Sequence, residues 1–190
     1  MIKYMQEMYL IMKIFQAKKL IHKIKIYRLY MSAFPKSERK PFSVILKMQK
    51  NGKSDLWFIE SDGKFIGMAA TINSSDPILL DYFAISPTCR GKGFGTEVLK
   101  KLRSLYPDKG FFLEIEIVCK SAENYNERFR RKQFYLNAGM AELGTYAKLF
   151  GVDMELLGFD CALSFDEYKD FYRINYGEFA AKNIGHITSE

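Results

Sequence analysis

Three carboxylates, one tyrosine and one glycine loop have residue types and spacings that could do chemistry. Asp81 interrupts the apolar run Ile78–Ile85, where a carboxylate is costly unless it faces water or a partner. Glu114 and Glu116 stand two residues apart within Phe111–Cys119 and therefore share one strand face. Close carboxylates attract cations, and their repulsion can raise one pKa towards neutrality, as a general base requires. Tyr135 offers a phenol, which with a pKa of about 10 can donate to a departing anion. Arg90-Gly91-Lys92-Gly93-Phe94-Gly95-Thr96 is basic and glycine-rich, a composition that lets backbone N–H groups turn inward onto an anion. The two histidines, His22 and His186, lie in the first helical stretch and the tail, so Ser-His or His-metal chemistry has little support and no metal is expected.

Each of these residues also has a plainer use. The two glutamates could pair with Arg128, Arg130 or Arg131, Asp81 could hold a structural hydrogen bond, and Tyr135 could be a core aromatic. The loop could be an ordinary turn.

The elements around them can be read from periodicity. Ile78–Ile85 is a buried strand stopped by Ser86-Pro87, and Val98, Leu99, Leu102 and Leu105 open a helix near Thr96. At a period of two, Asp81 shares a face with Leu79, Phe83 and Ile85. Upstream, Met12–Phe15 suggests a first strand, and Met1–Ile11 a helical or frayed extension. Leu20, Ile24, Tyr27 and Met31 then recur at helical spacing, with Lys19, Lys23 and Arg28 turned to solvent. Ser37–Pro41 reads as a polar turn, followed by a second helix to Asn51-Gly52. Leu56–Ile59 and Phe65–Ala69 flank Asp62-Gly63, a hairpin signal. Downstream come an alternating strand over Phe111–Cys119 and a basic helix over Asn124–Ala138. Strand-like pieces follow near Thr145–Phe150 and Asp153–Leu157, and a short helix starts at Ser164. This order predicts an α+β fold, a mixed α/β sandwich, in a single domain over residues 1–190 with a core over 12–157. Residues 1–11 are then an N-terminal extension and 158–190 a helical tail, which could cover a cleft or make a contact in a homodimer.

Three phosphate-binding patterns compete for the loop. The nucleotide P-loop fails, because no Lys-Ser or Lys-Thr follows Gly-x-x-x-x-Gly. The dinucleotide fingerprint begins with Gly91-Lys92-Gly93 and has Glu114 about 20 residues on, but Thr96 stands where its third glycine belongs. The third pattern, Arg/Gln-x-x-Gly-x-Gly/Ala directly after a strand, fits Arg90 to Gly95. With Phe134-Tyr135-x-x-x-Gly139-Met140 downstream, the chain resembles the GNAT superfamily of acetyl-CoA-dependent N-acetyltransferases over about Met12–Leu157.

The resemblance implies a central, mostly antiparallel, splayed sheet flanked by helices. It implies that Gly91, Lys92, Gly93, Phe94, Gly95 and Thr96 hold a CoA diphosphate with Arg90 adding charge. The pantetheine arm would run along Phe83, Ala84 and Ile85, and Tyr135 would serve the CoA sulfur. The family often has an asparagine seven residues before this tyrosine. Arg128 stands there in this chain, which leaves Asn124 or Asn126 to substitute. Asp81, Glu114 and Glu116 remain the candidates for the base. The activity implied is acetyl transfer to a primary amine of a small molecule or peptide by direct attack; a non-catalytic CoA-binding module is the alternative.

Composition agrees with a folded domain: 48% hydrophobic, 27% charged and 15% aromatic residues exclude a disordered chain. Cys89, Cys119 and Cys161 form no disulfide or metal pattern, which points to a reducing, cytoplasmic setting. No run approaches the roughly 18 apolar residues of a membrane span, so no membrane partner is expected. Residues 1–53 carry 13 Lys/Arg against 2 Asp/Glu, while the rest of the chain carries 16 against 20. A solvated helix face accounts for that basic segment; an anionic ligand or nucleic acid is the sharper alternative, and nucleic acid is disfavoured because no aromatics interleave the charge.

Overall fold

The computed structural model describes residues 11–187. Its strands are β1 (Met12–Gln16), β2 (Ser54–Ser61), β3 (Lys64–Ile72), β4 (Ile78–Ile85), β5 (Phe111–Glu116), β6 (Ala141–Leu149), β7 (Val152–Phe159) and β8 (Ile184–His186). Its helices are α1 (Leu20–Ala33), α2 (Phe42–Lys50), α3 (Phe94–Ser104), α4 (Tyr125–Asn137), α5 (Phe165–Tyr176) and α6 (Glu178–Lys182). The strands form one mixed sheet in the order β1-β2-β3-β4-β5-β7-β6-β8. Every neighbouring pair is antiparallel except β4–β5, which is parallel.

Helices cover both faces. On one, Val98, Leu99 and Leu102 of α3 and Tyr135 of α4 pack with Ile59, Leu80, Leu113 and Leu157. On the other, Ile26, Leu29 and Tyr30 of α1 and Ile45 of α2 cover Phe58, Met68 and Tyr82. Beyond them Tyr168, Phe171 and Tyr172 of α5 cover Phe112 and Leu156. The result is the expected α+β sandwich.

Local signals account for many boundaries. Asp62 and Gly63 both take positive φ, 49° and 73°, as a primed two-residue hairpin requires. Ser164 caps α5 through a reciprocal box, its hydroxyl accepting from the Glu167 N–H while the Glu167 carboxylate accepts from the Ser164 N–H. The helix it starts runs for 12 residues, and the tail continues through α6 into β8, which pairs with β6. The tail is therefore more than helical. Of the expected extension over 1–11, residues 1–10 lie outside the described residues.

Three expectations are corrected. The stripe Leu20, Ile24, Tyr27 and Met31 faces solvent, while Ile26, Leu29 and Tyr30 face the sheet. Both sets have helical spacing, and the Tyr30 ring meets Tyr82 edge-on at 4.9 Å while its hydroxyl donates to the Lys40 carbonyl at 2.8 Å. Strand β5 ends at Glu116, not Cys119, although the Ile117 N–H still donates to Asp153 O at 3.0 Å. In β4, Tyr82 pairs with Ala70 and Leu80 with Thr71, so Asp81 is the extra residue of a β-bulge. Asp81 keeps the side of Leu79, but Phe83 and Ile85 pass to the face of α3 and α4.

Candidate active site

The site begins where the sheet comes apart. Strands β4 and β5 pair only at Ile78–Phe111 and Leu79–Phe112, then diverge into a fork. Beyond Leu79 the edge of β4 facing β5 has no strand partner, so its backbone groups are open to an extended ligand. Arg90 takes one of them, its Nε donating to Ile85 O at 3.0 Å.

The glycine loop lies at the tip of β4. Gly91 and Gly93 take φ of 73° and 80°, and a Cβ built on either meets nothing within 4 Å, so these residues bound open space rather than packed core. Gly93 caps α3, whose first-turn N–H groups and dipole face that space. The cradle fits a phosphate. Gly95 serves a different purpose: a Cβ there would stand 3.1 Å from the Phe134 ring, so it lets α3 approach α4. Phe134 in turn stacks on Phe83 with ring centroids 6.3 Å apart. Phe94 and Thr96 are half-buried, and Lys92 is exposed with its Nζ on Thr88 O at 3.1 Å.

Tyr135 lies on the α3/α4 side of the fork, in the cluster that holds Leu80, Ile85 and Leu113. Burial pushes its phenol up to about 12, opposed by the Arg131 charge. It is protonated at neutral pH.

The carboxylates divide into two environments. Glu116 pairs with Arg128 at 2.7 Å and Arg131 at 3.5 Å. Arg128 also donates to Asn124 Oδ1 at 2.7 Å and Ile117 O at 3.0 Å. This network ties the start of α4 to the end of β5, and it engages Asn124; Asn126 is exposed on α4. Among the described residues Arg130 donates only to the Asn126 carbonyl, at 3.2 Å.

Asp81 and Glu114 stand on opposite prongs of the fork, on the face away from Tyr135. Asp81 binds Lys40 Nζ at 2.6 Å and accepts from the Tyr176 hydroxyl at 3.2 Å. Glu114 Oε1 accepts from Tyr168 and Tyr172 at 2.8 and 2.7 Å. Burial pushes its carboxyl above the ordinary carboxylate range; Lys40 and the two phenols oppose that, and Asp81 adds to it.

Lys40, Tyr168, Tyr172 and Tyr176 were not among the candidates from sequence. The three tyrosines recur at i, i+4 and i+8 along α5, a stripe that sequence alone assigns to a core. Lys40 is aimed by its own backbone, its N–H donating to Tyr82 Oη at 3.0 Å and its carbonyl accepting from Tyr30.

The raised value of Glu114 has a measurable sign. Its folded-state pKa exceeds the unfolded one, so its contribution to stability is lost as pH rises from the ordinary carboxylate range through the raised value. Glu114→Gln keeps an oxygen for both phenols and removes that loss. The urea midpoint of the variant is expected to gain on the wild type as pH rises above the ordinary carboxylate range; parallel curves would refute this.

Among the described residues no group of three or more His, Cys, Asp or Glu side chains could hold a metal. No helix described is long and apolar enough to cross a membrane. The cysteines are free.

Fork, glycine cradle and buried tyrosine together form the candidate site. The sequence model described as Acetyltransferase (GNAT) family matches residues 23–134, and the chain belongs to that family. A protein of the GNAT family of acetyltransferases from Bacteroides thetaiotaomicron superposes with a TM-score of 0.72 at 19% identity, covering 88% of this chain and 98% of the other. An aminoglycoside 6'-N-acetyltransferase complexed with coenzyme A gives 0.62 at 12% identity over 78% and 96%. A dodecameric spermidine N-acetyltransferase from Vibrio cholerae gives 0.59 at 14% over 78% and 92%. At these identities the likeness is one of fold. No curated protein matches the chain in sequence.

Proposed function

We propose that the protein moves an acetyl group from acetyl-CoA to a primary amine of a small molecule or peptide by direct attack. The observation that carries this reading is the parting of β4 and β5 after Leu79, with a phenol on one face of the gap and two carboxylates on the other. Acetyl-CoA would supply the activated acyl group. The Gly91–Gly95 backbone and the start of α3, with Thr96, would hold its diphosphate, and the open edge at Phe83, Ala84 and Ile85 its pantetheine. Arg90 and Lys92 would lend charge by turning from the carbonyls they now bind.

Tyr135 would donate to the departing sulfur. On the opposite face Glu114 is the better candidate to take the proton of the amine, because its carboxyl is raised and Oε2 is not used by the two phenols. Asp81, neutralised by Lys40, would position the amine. Glu116 and Asn124 are committed to the arginine network, so their roles would be to seat α4, and exposed Asn126 would border the cofactor groove. Because Asp81 and Glu116 carry cationic partners, the cleft does not specially favour a polycation. The free cysteines suit a cytoplasmic setting.

Calorimetric titration with acetyl-CoA, followed by thiol release across a panel of amines, tests the reading. Saturable binding with amine-dependent release is expected. Binding without release for any amine would instead favour a non-catalytic CoA module, and no binding by folded protein would dispose of both.

A further inference from the structure

The α1 stripe that the sheet leaves outside is an apolar feature that the active site does not use. Leu20 is 74% exposed, Ile21 53%, Tyr27 43% and Met31 44%, and Ile24 belongs to the same row. Helical spacing places Lys23 on one flank and Lys25 and Arg28 on the other. Neither α1 nor α2 contains an Asp or Glu. None of Lys18, Lys19, Lys23, Lys25 and Arg28 is paired with a carboxylate among the described residues. Beside the stripe, between α1 and the end of α2, lies a hollow lined by Gln16, Lys18, Lys23, Leu46, Gln49 and Lys50. Three lysines thus line one depression next to an apolar ridge.

We propose that this face binds the surface of an anionic lipid bilayer, with the Leu20–Met31 stripe entering the headgroup boundary and the lysine-lined hollow taking a lipid phosphate. Charge decides against a second copy, since two-fold pairing of the stripe would set lysines against lysines on both flanks. Composition decides against an acidic protein: protein interfaces are depleted in Lys and enriched in Arg, whereas this rim has Lys18, Lys19, Lys23, Lys25 and Lys50 to one Arg28. Long ammonium side chains flanking a buried apolar row suit a bilayer, where they reach up to the headgroups. This revises the expectation of no membrane partner: the chain lies on a bilayer without crossing it.

The test is flotation of the full-length protein with vesicles of phosphatidylcholine alone and with equimolar phosphatidylglycerol. Binding is expected only to the anionic vesicles, weakening with salt. Replacing Lys18, Lys23 and Lys50 by Gln should weaken it about fivefold per lysine. Ile24→Gln with Met31→Gln should weaken it too, while both variants keep the wild-type melting profile, because the altered side chains are outside the core. No anionic preference, or undiminished binding by both variants, overturns the proposal. So does a concentration-dependent dimer that the stripe variant abolishes, or retention on polyglutamate or RNA but not on vesicles.

Discussion

Tyr135→Phe is expected to lower turnover roughly 10- to 150-fold while leaving affinity for acetyl-CoA within about twofold, from the roughly 1.5–3 kcal/mol of a hydrogen bond to a charged group. The phenol is pushed up to about 12 by burial, whereas an ordinary thiol titrates near 8.5, so full proton transfer to a thiolate is uphill. Its role would then be to donate a strong hydrogen bond as charge develops on sulfur. The ring stays in the cluster around Leu80 and Leu113, so the variant should fold. Steady-state kinetics beside a binding titration check the split; equal turnover would remove Tyr135 from the reaction, and an equal rise in dissociation constant would make it a binding residue.

A second large effect is expected in stability. Lys132 of α4 reaches Glu155 of β7 at 2.6 Å and Glu142 of β6 at 3.0 Å, and the Glu155 side chain is 5% exposed. Lys132→Met would leave a carboxylate among apolar neighbours, which costs roughly 3–5 kcal/mol when a buried pair is broken. The lower end applies, because Lys132 retains some exposure. Urea unfolding should show a lower midpoint with an unchanged slope, and adding Glu155→Leu should recover most of the loss. If the single variant unfolds like the wild type, the pair contributes nothing to holding α4. With the Arg128–Glu116 network, this contact fixes the helix that carries Tyr135.

Much of the architecture was legible in the chain. Ile78–Ile85 could be bounded because Pro77 and Ser86-Pro87 punctuate it, and the loop because Arg90 leads directly into three alternating glycines. Asp62-Gly63 specified its hairpin through backbone geometry alone. What periodicity cannot supply is phase when both faces of an element are apolar. In α1 the sets Leu20/Ile24/Tyr27/Met31 and Ile26/Leu29/Tyr30 both have helical spacing, and the choice between them is made by sheet residues distant in sequence, Phe58, Met68 and Tyr82. The same limit hid Lys40 and Tyr176, which meet Asp81 from 41 and 95 residues away. Glu116 illustrates the converse, since its structural use was legible in the arginines of the next helix.

The bulge at Asp81 bears on how this strand can change in length. It works as a one-residue spacer that resets which side chains face each layer. Deleting that residue would set Leu80 and Tyr82 side by side opposite Thr71 and Ala70, an unbroken ladder in which Tyr82 still faces α1 while Phe83 and Ile85 still face α3 and α4. The loss would remove one carboxylate from the fork and leave both halves of the core in place. Asp81 is thus the one position of this strand that the packing does not count.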